Sequence, residues 1–137
     1  MEKLLIDTGA FFGREIQQDQ HHETSMDGWS EIENSPVRLY STEHIFDETL
    51  SILARRSSYA FAAEWGIRAL QSNEIEWLST EGKDLETALQ LMRKYADQEV
   101  SFTDCVSFVL MRKEGIKHAF TFDRHFEAAQ FRLWPGK

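Results

Sequence analysis

Short apolar runs alternate with longer stretches of helical periodicity along this chain. Lys3-Leu-Leu-Ile6 reads as a buried strand that turns at Asp7-Thr8-Gly9 into a helix. A second helix runs through Trp29 and Ile32 and stops at Asn34-Ser35-Pro36, because the residue before a proline is pushed out of the helical region. Val37 to Tyr40 follows as a strand, with Ser41 or Thr42 placed to cap a helix over Glu43 to Arg56. Tyr59 to Leu70 carries Phe61, Ala62, Trp65 and Ala69 at helical spacing and suits either the core or a subunit contact. Ile75 to Leu78 alternates as a third strand. Ser79 or Thr80 then caps a helix through Leu85, Leu89 and Met92 that ends in the basic turn Arg93-Lys94, which suits the negative end of a helix dipole. Ser101 opens an apolar helix through Cys105, Phe108, Val109 and Met111 that stops at Gly115. His118 to Thr121 is the next strand, and Phe131 to Leu133 is a short last one before the tail 134–137. The alternation predicts an α/β fold with a mostly parallel sheet of four to five strands, in one domain over residues 1–137.

Composition narrows the setting. The chain has 137 residues, 42% of them hydrophobic and 28% charged, which is enough for a single buried core. Its only cysteine, Cys105, has no partner for an internal disulfide, and no apolar run approaches the ~20 residues of a membrane span. A reducing, cytoplasmic setting without membrane insertion is expected. The net charge of −8 argues against broad adhesion to nucleic acid through a basic surface. It does not argue against a nucleic-acid enzyme, because two divalent cations held in an acidic site would halve that charge.

Four acids stand out by position. Asp7 sits at the carboxyl end of the first strand, where it either caps the next helix or serves a ligand site. Ile45, Glu48 and Ile52 share one helix face, whereas Asp47 is angled away. A carboxylate inside an apolar stripe needs a cation, a metal or a good donor, and Arg55, Arg56 or water would be the plain alternatives. Asp104 follows Ser101 at capping-box spacing and starts a buried helix. Asp123 leaves the strand His118 to Thr121 in the polar turn Phe122-Asp123-Arg124-His125, where a turn or cap role competes with a functional one. Carboxylates brought together at a helix start and a strand end repel unless a cation or a shared proton lies between them. The pair His21-His22 is different: adjacent side chains diverge, so the polar stretch from Gln17 reads as a solvated loop and not as a metal pair.

This arrangement resembles the PIN-domain ribonucleases, and closely the VapC-like toxins of bacterial and archaeal toxin–antitoxin pairs. The resemblance rests on LLIDTGAFFG around Asp7, FDETLSIL around Glu48, SFTDC around Asp104 and TFDRHF around Asp123, and it spans essentially the whole chain. It implies a Rossmann-like three-layer α/β/α sandwich and an endoribonuclease that hydrolyses RNA phosphodiester bonds through metal-activated water. By the same match, Asp7, Glu48, Asp104 and Asp123 are the catalytic, metal-binding acids for Mg²⁺ or Mn²⁺. Thr103 and Thr121 flank two of them as hydroxyls that would orient carboxylates or waters. A cognate antitoxin and a homodimer are implied as well. One departure is Gly9, where many relatives carry Ser.

Hard oxygen donors independently suit Mg²⁺, and a bound cation makes water a usable nucleophile near neutral pH, so no side-chain nucleophile is needed. Arg55-Arg56 and Arg124-His125 are candidate phosphate contacts, with surface ion pairs as the alternative. Two other functions compete with the nuclease. One is a catalytically inactive PIN-like module that binds protein or RNA, in which the acids are only caps and turn residues. The other is a phosphatase-like use of Asp7 as nucleophile, which Gly9 disfavours because an acid is needed at that position.

Overall fold

The strand Glu2–Ile6 (β1) buries Leu4, Leu5 and Ile6 completely, three consecutive side chains pointing to alternate faces. A strand covered on both faces is the signature of a central position in a parallel sheet. A computed structural model describes residues 2–134 and shows that position directly. β1 is followed by α1 (Thr8–Glu15) and α2 (His22–Glu33), then β2 (Val37–Thr42), α3 (Glu43–Arg56), α4 (Tyr59–Gln71) and β3 (Ile75–Leu78). The second half holds α5 (Asp84–Lys94), a 3₁₀ turn (Ala96–Gln98), α6 (Phe102–Glu114), β4 (His118–Phe120), α7 (His125–Ala128) and β5 (Arg132–Trp134). Of the expected tail, Trp134 belongs to β5 and 135–137 lie outside the described residues.

The five strands run in the order β3-β2-β1-β4-β5, and every pairing is parallel, with Leu4 opposite Leu39 on one side and His118 on the other. From β1 the chain steps through β2 to β3, then crosses back to β4 and on to β5. Right-handed crossovers in opposite directions put the two sets of helices on opposite faces, which makes three layers. The aromatic packing divides the same way. Phe11 contacts Trp29, Trp65 and Trp77 at 5.9, 5.4 and 5.7 Å, whereas Phe108 contacts Phe126 and Phe131 at 5.0 and 5.6 Å. Trp65 is therefore core, and the large exposed apolar side chains of α4 are Tyr59, Ile67 and Leu70.

Local signals end the helices largely where expected. Thr42 Oγ1 accepts the Ile45 N–H at 3.0 Å to start α3, Ser101 Oγ accepts the Asp104 N–H at 3.1 Å to start α6, and Gly115 ends α6 at φ +73°. α6 is buried at every position from Asp104 to Met111, so its first turn is held rigidly between neighbours.

The start of α5 differs from the expectation. Neither Ser79 nor Thr80 caps it; Lys83 occupies the cap position, and the Asp84 carboxylate accepts the Glu81 N–H at 3.0 Å and the Lys113 ammonium at 2.8 Å. Those two donors hold Asp84 below the usual carboxylate range. Buried Asp84 and Ala88 make the inner face of α5, which turns Leu85, Leu89 and Met92 outward into solvent. No described helix is long and apolar enough to cross a membrane.

Candidate active site

The crevice of an open α/β sheet lies where the strand order reverses, outside the carboxyl ends of the strands. Here that point falls between β1 and β4. The Asp7 N–H donates to the Phe120 carbonyl at 3.0 Å and joins the two strand ends. A cleft of about 450 Å³ opens there, with Asp7, Glu48, Asp104 and Asp123 all in its lining. The structure thus brings together the four acids that the sequence scatters from β1 to the turn after β4.

Asp7 stands at the cap position of α1, but its side chain makes no capping bond. Its Oδ2 instead accepts the Thr121 hydroxyl at 2.7 Å. Burial pushes the Asp7 carboxyl up to about 6 against the opposing pull of the Thr121 and Thr8 hydrogen bonds, and the charges of Glu48 and Asp123 push the same way as burial. Thr121 serves two acids at once, because its Oγ1 also accepts the Asp123 N–H at 3.0 Å. It lies just beyond β4 and not within it. Thr103, the other expected hydroxyl, does not line the cleft; Thr8 does, and its Oγ1 donates to Glu48 Oε1 at 2.5 Å. The clue to Thr8 was its place next to Asp7 at the strand end.

Glu48 occupies the edge of the α3 stripe, not its centre. The fully buried positions are Ile45, Thr49 and Leu53, while Glu48 and Ile52 are half-buried and face the cleft. Asp104 satisfies the cap through its backbone, which leaves its carboxyl free to meet Asp123. Burial first, then the nearby Asp7 charge, pushes Asp104 up to about 10, which favours a proton on Asp104 where it meets Asp123. Burial would raise Asp123 too, but the hydrogen bonds from Asp104 and from the His125 N–H, the latter at 2.9 Å, outweigh it and hold Asp123 low. His125 Nδ1 lies 2.9 Å from Asp123 Oδ1, and Asp104, Asp123 and His125 offer ligand atoms within 4.8 Å of one another.

The charge balance of this site is incomplete. Among the described residues no Lys or Arg forms an ion pair with Asp7, Glu48, Asp104 or Asp123. Oxygen donors and a concentration of negative charge fit a hard divalent cation. The candidate phosphate contacts separate. Arg124 lines the cleft, 3.6 Å from Glu127; Arg56 lies 4.0 Å from Asp19 and over the Phe12 ring; Arg55 is exposed outside the cleft lining.

The histidine pair is not a solvated loop. His22 opens α2 with Nδ1 2.8 Å from the Gly13 carbonyl, and His21 lies flat on Phe122 with ring centroids 4.2 Å apart and planes 5° from parallel. The sequence carried no signal for that contact, because the two residues come from opposite ends of the chain.

A parallel α/β/α sandwich with buried carboxylates at its switch point is the architecture of an α/β protein that binds its ligand at the strand ends. The family model of the PIN domain matches residues 4–132, and the chain belongs to the PIN-domain family, among its VapC-like ribonucleases. It is 30% identical over 129 residues to the 23S rRNA-specific endonuclease VapC20 of Mycobacterium tuberculosis, covering 93% of this chain and 95% of that one. It is also 30% identical over 127 residues to the VapC ribonuclease of Archaeoglobus fulgidus, covering 89% and 78%. The crystal structure of M. tuberculosis VapC20, described as a sarcin–ricin-loop-cleaving toxin, superposes with a TM-score of 0.84 at 27% identity over 93% of this chain and 95% of that one. FitAcB from Neisseria gonorrhoeae shares the fold, with a TM-score of 0.65 at 18% identity over 95% of both chains.

Proposed function

We propose that this protein is a Mg²⁺- or Mn²⁺-dependent endoribonuclease toxin whose cation is held by Asp7, Glu48, Asp104 and Asp123. The observation that carries the reading is the meeting of Asp7, Glu48, Asp104 and Asp123 in one cleft, where no described Lys or Arg forms an ion pair with any of the four. When bound, the cation supplies an activated water and offsets charge building on the phosphate oxygens, which would leave a 5′-phosphate and a 3′-hydroxyl. The chain's own residues do the rest. Thr121 and Thr8 fix the orientations of Asp7 and Glu48, His125 orients Asp123, and Arg124 sits where a phosphate of the RNA would pass.

The first candidate substrate is the sarcin–ricin loop of 23S rRNA, because the M. tuberculosis relative is described as cleaving it. A toxin directed at RNA of its own cell requires neutralisation, so we assign a cognate antitoxin as partner and the cytoplasm as the place of action. The chain acts as a single domain, and the outward stripe Leu85, Leu89 and Met92 of α5 is the face a second copy would cover in a homodimer.

The test is cleavage of purified ribosomes and of bulk RNA by the protein with Mn²⁺, Mg²⁺ or EDTA. Metal-dependent cuts that vanish in Asp104→Asn are expected. Undiminished cleavage by that variant, or none by the wild type with either metal, would sink the reading.

A further inference from the structure

The parallel stack of His21 on Phe122 lines the acidic cleft, yet neither ring has a part in holding a cation. Both are half-buried, and both are held by their surroundings. On one side Phe122 meets the edge of Phe120, with centroids 6.1 Å apart and planes at 70°. On another it lies against Gly9, where an added Cβ would come 3.3 Å from Phe122 Cδ2. A side chain at position 9 would therefore press on Phe122, which lies close against the start of α1. His21 is held from its own loop: its N–H donates to Asp19 Oδ2 at 3.0 Å, its carbonyl accepts the Ser25 N–H at 2.8 Å, and the next residue is anchored on Gly13. Asp19 in turn lies 4.0 Å from Arg56.

A rigid pair of flat rings beside a phosphate-cleaving centre is suited to an unpaired nucleobase. Proteins that take single-stranded RNA stack its splayed bases on aromatic side chains, and every base presents a π-face for this. Pre-ordering the rings lowers the entropy lost on binding. The phosphate of the same nucleotide would then lie toward the acids, with Arg124 also in the cleft wall. We infer that His21, seated on Phe122, forms a stacking platform for the base of an unpaired nucleotide next to the scissile phosphate. The inference rests on the ribonuclease reading above.

The experiment has a binding arm and a kinetic arm. In the binding arm, a short single-stranded RNA with 2-aminopurine scanned through its positions is titrated with the full chain in Ca²⁺. Quenching at one position is expected for the wild type and for His21→Phe, and its loss for His21→Ala. In the kinetic arm with Mn²⁺, His21→Ala raises KM by about 5- to 150-fold, the range for losing one base–aromatic stack, with kcat changing less. His21→Phe restores KM. Making that nucleotide abasic has the same effect on the wild type, a measurement that does not depend on how any variant folds, and adds nothing in His21→Ala. Equal KM for wild type and His21→Ala, or an abasic penalty that persists undiminished in His21→Ala, would overturn the platform. Position-specific quenching without cleavage by any form would uphold the stack and reject the ribonuclease reading instead.

Discussion

The carboxyl groups of Asp104 and Asp123 meet in the cleft, with ligand atoms within 4.8 Å of each other and of the His125 ring, and burial together with the neighbouring Asp7 charge favours a proton on Asp104. α6 brings one of them and the turn after β4 the other, and neither can move away because Asp104 is buried in the first turn of a helix packed on all sides. Carboxylates this close favour a proton or a cation between them, and the consequences are measurable without any RNA.

The metal-free protein loses stability as pH rises. Asp7 at about 6 and Asp104 at about 10 both lie above the ordinary value of 3.8, so the folded state holds protons that the unfolded state releases. Their favourable contribution is complete below about pH 4 and is lost as pH climbs through 6 and then toward 10. In EDTA the melting temperature should fall between pH 5 and 9, and Asp104→Asn should flatten the upper part of that fall. A wild-type curve that stays level or rises over this range, relative to the variant, would contradict the charge balance described here.

Millimolar Mn²⁺ should raise the melting temperature, more at pH 8 than at pH 5, since cation and protons compete for the same oxygens. The shift should be absent in Asp7→Asn and Asp104→Asn. Calorimetric titration at the two pH values measures it, and equal binding by wild type and variants would refute the assignment of these ligands.

Thr121→Val removes the donor to Asp7 and the acceptor of the Asp123 N–H while conserving shape. Loss of a partner that orients a metal ligand typically lowers activity by about 10- to 100-fold, and leaving a buried polar group unpaired costs about 1–3 kcal/mol. Both effects should be seen together in cleavage assays and denaturant melts. Thr103→Val, outside the cleft, should change cleavage little.

Gly9→Ser sets the added Cβ 3.3 Å from Phe122 Cδ2, so the ring must give by a few tenths of an ångström. Loss of position-specific 2-aminopurine quenching with Mn²⁺ affinity unchanged is the expected result. Unaltered quenching would show that the ring has slack.

Leu89→Glu places a charge in the middle of the exposed α5 stripe, where Leu89 retains 55% of its surface. Light scattering should show a dimer for the wild type and a monomer for the variant, with the melting temperature of the monomer little changed, because Ala88 and Asp84 and not Leu89 pack inward. A variant that remains dimeric removes α5 from the interface.

The local order of this protein was legible in its residues, because periodicity, caps and stop signals act within a few positions. Ile6 before Asp7, Thr42 before α3, Ser101 before Asp104 and Gly115 after α6 mark their elements without reference to the rest of the chain. The acids at strand ends and helix starts were visible for the same reason. What those acids do to one another depended on the sheet order β3-β2-β1-β4-β5, which alone sets Asp7 beside Thr121 and Asp104 beside Asp123. The facing of a helix was likewise undecided locally. An apolar stripe at helical spacing looks the same whether it turns inward, as on α3, or outward, as on α5, where the Asp84–Lys113 pair and small Ala88 face α6. His21 on Phe122 is the extreme case: two residues with no local relation meet because a loop after α1 and a turn after β4 arrive at the same end of a parallel sheet.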